Sequence, residues 1–180
     1  MRDQQAAGLQ VAVHGHPNAD TLLLWHPAVA SDPEAVSALA SRIATRSGLR
    51  VVVPTWTDGH DLLRSVRYAR ESAVHPPDQV SVVGYGAAGI AALSLAQHQR
   101  RLGIGLSRVT CVDGAAGLDD PISGRPLAEP GPAPVATEVD VVDTAGADWA
   151  RATVEAWRAA GWAASLVPAD QFTWRVSPSQ

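Results

Sequence analysis

Apolar residues along this chain fall into two patterns. Short runs rich in Val, Leu and Ile read as strands. Between them lie stretches where apolar positions recur every three or four residues, as on one face of a helix. Residues 11–14 and 21–25 read as strands on either side of the turn HGHPNAD. A helix opens at Asp32-Pro33-Glu34, with Asp as N-cap and Pro in the first helical position. Val36, Leu39, Ala40 and Ile43 form its inward stripe, and Gly48 is placed to end it. A strand over 49–53 stops at Pro54, and a helix over 61–72 turns Leu62, Leu63, Val66 and Ala69 inward. A strand over 80–84 then leads into a helix over 87–102. Strand 109–113, a Pro- and Gly-rich loop over 114–137, strand 139–143, helix 149–160 ended by Gly161, and strand 162–167 complete the order.

Strands alternate with helices, and several strands are apolar without alternation. That pattern predicts a parallel sheet covered on both faces. The expectation is an α/β fold of three layers, α/β/α, with a mostly parallel sheet of about seven strands in one domain over residues 1–180. The Pro- and Gly-rich loop reads as an excursion above the sheet, because a strand-helix-strand unit follows it.

Charge and composition narrow the function. A net charge of −4 gives no electrostatic footprint for nucleic acid. The chain contains no lysine, and all 14 basic residues are Arg. Schiff-base chemistry, a lysine base and P-loop phosphate binding are thereby excluded. No apolar run approaches a membrane span, and the polar start MRDQQAAGLQ has no signal-peptide core. The single Cys111 cannot form an internal disulfide, so the expected location is the cytoplasm.

The segment QVSVVGYGAAGIAALSLA, residues 79–96, carries the candidate chemistry. A β-branched strand meets a glycine-rich turn and then an Ala/Leu helix. This is the outline of a nucleophile elbow, G-x-S-x-G, with Gly86 at the serine position and Ala88 at the fifth. The letters Gly84-Tyr85-Gly86-Ala87-Ala88-Gly89 also spell the dinucleotide fingerprint G-x-G-x-x-G. That reading asks for an acidic residue about 20 positions on. The next strand ends at Asp113, 29 positions after Gly84 (113 minus 84), and about two strand-helix units precede the motif.

With LLLWHPA (22–28), VVVPTW (51–56), VVGYGAAGIAAL (82–93), VTCVDGAAG (109–117), VDVVDTAGAD (139–148) and LVPADQFTW (166–174) in this order, the chain resembles the α/β-hydrolase family over residues 9–174, in a compact, lidless form. The resemblance implies a degenerate triad. Gly86 stands at the nucleophile position, the histidine position falls at Asp170 or Gln171, and Asp148, with Asp143 as neighbour, stands at the acid position. It also implies an oxyanion hole from the N–H of Ala87 and a group near residues 26–28.

The candidate residues follow. His26, at a strand end, is the acid/base candidate, against a plain loop histidine. Asp148 is the second catalytic candidate, against a helix N-cap. Trp56, Tyr85, Gly86, Ala87 and Gln171 are expected to line a ligand site. His60-Asp61 reads as a helix start and Cys111 as a buried apolar residue. His14 and His16 would need a third ligand such as Asp20 or His26, and Gly15 and Pro17 make that segment a turn. No metal and no cofactor are expected.

The expected function is a non-hydrolytic one. Either the turn binds a small carbonyl or carboxylate compound, or it supports a lyase, cyclase or isomerase step through an oxyanion-type nest. The alternatives are a non-catalytic scaffold or dimerisation subunit, a hydrolase with a displaced nucleophile or an activated water, and a dinucleotide-dependent oxidoreductase. The partner expected is a small molecule, with no nucleic acid and no membrane; a homodimer or partner protein stays open.

Overall fold

Asp32 and Gly48 bracket the first helix, α1 (Pro33–Ser47), as their chemistry dictates. The Asp32 carboxylate accepts the Glu34 N–H at 3.0 Å, and Gly48 takes the left-handed conformation (φ 71°) that returns its N–H to the Ala44 carbonyl. The structure, a computed structural model, describes residues 2–6, 8–27, 32–74, 80–133, 136–144 and 148–174. Ala28, in the expected oxyanion loop, and residues 145–147 before Asp148 lie outside them.

Strands β1 (Arg2–Ala6), β2 (Leu9–His14), β3 (Thr21–Trp25), β4 (Arg50–Pro54), β5 (Val80–Tyr85), β6 (Leu106–Val112), β9 (Glu138–Asp143) and β10 (Ala163–Pro168) form one eight-stranded sheet in the order β1-β2-β4-β3-β5-β6-β9-β10. β4 through β10 in that order are parallel, and β2 runs antiparallel to both its neighbours, β1 and β4. The expected α/β fold and mostly parallel sheet are therefore present, with β1 as an added edge strand. Its sequence RDQQA carries no apolar pattern, because its order comes from pairing with β2.

Strand parity sets the two faces. Leu23, Trp25, Val52, Val82, Val109, Cys111, Val139 and Val141 meet α2 (Gly59–Glu71), α3 (Ala87–His98) and α4 (Asp148–Ala159). Leu22, Leu24, Val51, Val53, Val83, Tyr85 and Val112 meet α1. Helix α2 begins earlier than expected, because the Asp58 side chain caps it by accepting from the Asp61 N–H at 3.0 Å. On α2 it is Ser65 that faces the sheet with Leu62, Val66 and Ala69, while Leu63 is half-buried toward the side.

On the α1 face, the β6–β9 half is polar. Arg108 donates to Asp140 at 2.6 Å and also pairs with Glu138. Among the described residues no helix covers this half. Instead the chain turns through a short 3-10 segment (Ala169–Gln171) after β10, and Phe172 and Trp174 fold back onto the face. The Tyr85 hydroxyl donates to the Trp174 carbonyl.

The Pro- and Gly-rich loop is clasped to the helix layer rather than standing above the sheet. It holds a small hairpin, β7 (Asp119–Asp120) with β8 (Arg125–Pro126). The buried Asp120 carboxylate accepts the N–H groups of Ile122 and Ser123. A Cβ on Gly59 would lie 2.1 Å from the Pro121 carbonyl oxygen, so the start of α2 needs glycine for the loop to settle there. Gln97 donates to the Ala128 carbonyl and Trp162 to the Gly131 carbonyl, each at 2.9 Å.

Candidate functional site

The turn between β5 and α3 sits at the carboxyl edge of the sheet, between the ends of β3 and β6. Trp25 pairs with Gly84 on one side, and Tyr85 with Val112 on the other. The Gly86 N–H donates to the Val112 carbonyl at 2.8 Å, which ties the turn to β6. Gly86 has φ 62° and ψ −129°, a sharp reversal outside the ordinary helix and strand regions.

The three glycines of this turn have different reasons to be glycine. A Cβ on Gly84 would lie 2.3 Å from the Ala88 carbonyl oxygen, and one on Gly89 would lie 2.8 Å from Cys111 Sγ. Both let the first turn of α3 press against the strands. A Cβ on Gly86 would meet nothing within 4 Å among the described residues. Among the described residues the space above Gly86 is open, where a nucleophile's side chain would stand.

Helix α3 offers donors into that space. The Gly89 and Ile90 N–H groups return to the Gly86 carbonyl at 2.9 and 3.3 Å. The N–H groups of Ala87 and Ala88 therefore have no acceptor within the helix, and they stand at the positive end of its dipole. No side chain caps this end.

His26 follows β3 beside the turn, and its Nδ1 lies 2.8 Å from the Pro27 carbonyl oxygen. The Trp56 indole N–H donates to the His26 carbonyl at 2.8 Å, and the two rings are 6.3 Å apart. Trp56 is 5% exposed, so its packing fixes the His26 backbone more than it offers a ligand surface. His26, Trp56, Gly86 and Ala87 are thus gathered at one edge of the sheet.

Two of the expected lining residues are placed elsewhere. Tyr85 follows the parity of Ser81 and Val83 and points into the α1 face, where it is buried and bonded to Trp174. Burial, and next to it the charge of Asp113, raise its hydroxyl well above the ordinary value. Gln171 is exposed and borders a separate cavity of about 480 Å³ on the α1 face, with Arg108, Asp140, Phe172 and Trp174. Asp148 is exposed and is the first residue of α4 rather than the residue before it. Its carboxylate lies in the first turn, where the helix dipole favours a negative charge.

In the sequence Asp113 figured only in the dinucleotide spacing and not as a candidate for this site. It ends β6 directly after Val112, which holds Gly86, and it has φ 56°, rare for a residue other than glycine. It is exposed at the carboxyl edge, on the side of the turn away from His26. An Asp-Gly pair after an apolar strand was the available signal. Cys111 beneath it is fully buried, which pushes its thiol up to about 12 against the opposing hydrogen bond from the Gly114 backbone. A thiol so held is no nucleophile. Among the described residues no group of His, Cys, Asp and Glu could hold a metal ion, and no helix is long and apolar enough to cross a membrane.

The architecture has solved counterparts. An arylesterase structure superposes with a TM-score of 0.73 at 13% identity, covering 98% of this chain and 79% of that one. An esterase of the archaeon Pyrobaculum calidifontis gives 0.70 at 12% identity, over 93% of this chain and 73% of its own. An esterase from the bacterial hormone-sensitive lipase family gives 0.67 at 17%, over 93% and 73%. No family model matches the sequence, and no curated protein matches it either. The chain has the α/β-hydrolase fold. At these identities the likeness is one of fold, and one fold carries many chemistries.

Proposed function

We propose that the turn at Gly86 binds a small carbonyl or carboxylate compound and that the protein is not a serine hydrolase. The observation that carries this reading is the space above Gly86, open among the described residues, beside the N–H groups of Ala87 and Ala88, which have no acceptor within α3. Such donors stabilise an oxyanion, an enolate or a carboxylate without any covalent step. The same position lacks a side chain that could attack, and the segment 169–174 after the last strand contains no histidine to serve one. His26 and Asp113 border the turn from β3 and β6. They supply the groups that could move a proton to or from a carbon beside a bound carbonyl, as a lyase, cyclase or isomerase step requires. Any ligand here is small, because Trp56 and Tyr85 are committed to packing.

A non-catalytic scaffold is the second reading, favoured by that same commitment of Trp56 and Tyr85. The dinucleotide reading is weakened by spacing, since β6 ends at Val112 and the next carboxylate, Asp113, lies 29 positions after Gly84 (113 minus 84) where that motif asks for about 20. The test has two arms. A fluorophosphonate probe should label no serine, and stoichiometric labelling overturns the non-hydrolytic reading. In nuclear magnetic resonance titrations, acetoacetate and pyruvate should shift the Ala87 and Ala88 amides, and Gly86→Leu should abolish that shift while the fold is kept. Unshifted amides, or a shift that survives Gly86→Leu, remove the site from this turn.

A further inference from the structure

A second cavity, of about 490 Å³, lies between α2 and α3 toward the amino edge of the sheet, far along both helices from Gly86. Its apolar walls come from Leu63 and Val66 on α2, Leu95 on α3, and Leu102 and Ile104 in the connection to β6. Val74 and Leu102 are the large apolar residues most exposed among those described. Leu102 lines this cavity, and Val74 follows the end of α2.

Two guanidinium groups border the same space. Arg67 and Arg70 sit on one side of α2 with Leu63, at spacings of three and four. Neither forms an ion pair among the described residues, although Arg64, one turn earlier, pairs with Asp61. The Arg70 Nε is buried with no hydrogen-bond partner. A buried donor without an acceptor costs stability, and the two arginines bring to the cavity charges that no carboxylate pairs among the described residues. Glu71 is the only carboxylate on the described lining. Two cations against one carboxylate leave a single positive charge, which suits a monoanion.

We infer that this cavity binds an amphipathic monocarboxylate, its head group on Arg67 and Arg70 and its alkyl tail against Leu63, Leu95, Leu102 and Ile104. A carboxylate accepts from a guanidinium in a fork of two parallel bonds, so the charged end is held in one orientation. The tail buries apolar surface in a volume ordinary for a small-molecule site. The site is separate from the turn at Gly86 and stands or falls independently of it.

Calorimetric titration with decanoate tests the inference. Decanoate should bind, and neither acetate, which lacks the tail, nor decylamine, which carries the wrong charge, should do so. Arg67→Gln and Arg70→Gln should each weaken binding by roughly tenfold or more, and Glu71→Gln should strengthen it. Arg67 is exposed, so its variant keeps the test readable if Arg70→Gln does not fold. On the unaltered protein, methyl resonances of Leu63, Leu95 and Ile104 should shift while the Ala87 amide stays in place. Decanoate binding with equal strength to both arginine variants, equal binding of decylamine, or no binding overturns the inference. So does a chain that self-associates through these methyl groups and takes up no decanoate.

Discussion

Asp61 shows how a single side chain sets the approach to the carboxyl edge. Its Oδ2 accepts from the Thr57 N–H and from the Thr57 hydroxyl, each at 3.0 Å, and its Oδ1 accepts from Arg64 at 3.2 Å. The Thr57 N–H, opposed by burial, holds the Asp61 carboxyl below its ordinary value of 3.8. A depressed carboxylate adds stability that is fully present above 3.8 and is lost as pH falls through the lower folded value. Asp61→Asn should therefore cost about 1 kcal/mol at neutral pH. In urea titrations the gap between the two proteins should close in strong acid; a gap that stays constant removes the charge from the account. At this scale the turn at Gly86 and Ala87 was readable from the strand-turn-helix outline, and His26 was singled out by its place at a strand end. Tyr85 was misplaced because one step along a strand reverses the face a side chain takes. Asp113 was missed as a site residue because the Asp-Gly pair after its strand reads first as a turn, and its positive φ is visible only in the structure.

The elements were legible where their ends carry chemistry. Asp32 and Gly48 delimit α1 in sequence and in space, and the stripe Val36, Leu39, Ala40, Ile43 is the buried one. Strand β1 was illegible, because a polar edge strand owes its order to its neighbour. The loop after β6 was legible only as punctuation; its attachment to Gly59, Gln97 and Trp162 depends on contacts distant in sequence. The junction of β5 with α3 allows a sharp comparison between glycines. Gly84→Ala and Gly89→Ala drive a methyl group into packed neighbours and should each cost about 3 kcal/mol. Gly86→Ala meets open space and should cost only about 1 kcal/mol, from its positive φ alone. Thermal unfolding of the three variants checks the order, and an equal loss at Gly86 would mean that the space above it is filled.

Across the whole molecule the two sheet faces are covered unequally. Among the described residues, one carries α2, α3, α4 and the clasped loop; the other carries α1 and, farther along, the returning residues Phe172 and Trp174. The polar residues Ser81, Thr110, Arg108 and Asp140 on that second face suit a surface near water. What holds the returning segment is the Tyr85 hydroxyl on the Trp174 carbonyl, with the Phe172 and Trp174 rings packed 6.2 Å apart. Tyr85→Phe should leave the sheet intact, lower stability by about 1 kcal/mol, and hasten proteolytic cleavage after β10. Unchanged cleavage would show that the aromatic packing suffices.

The tie between Tyr85 and Trp174 also orders events in time. Tyr85 directly precedes Gly86, yet its buried hydroxyl finds its acceptor 89 residues later. On the ribosome, β5 and α3 emerge and can pair long before residue 174 has been made. A nascent chain therefore carries this tyrosine with its hydrogen bond still unmade, and the flank of the turn settles only once residue 174 has emerged.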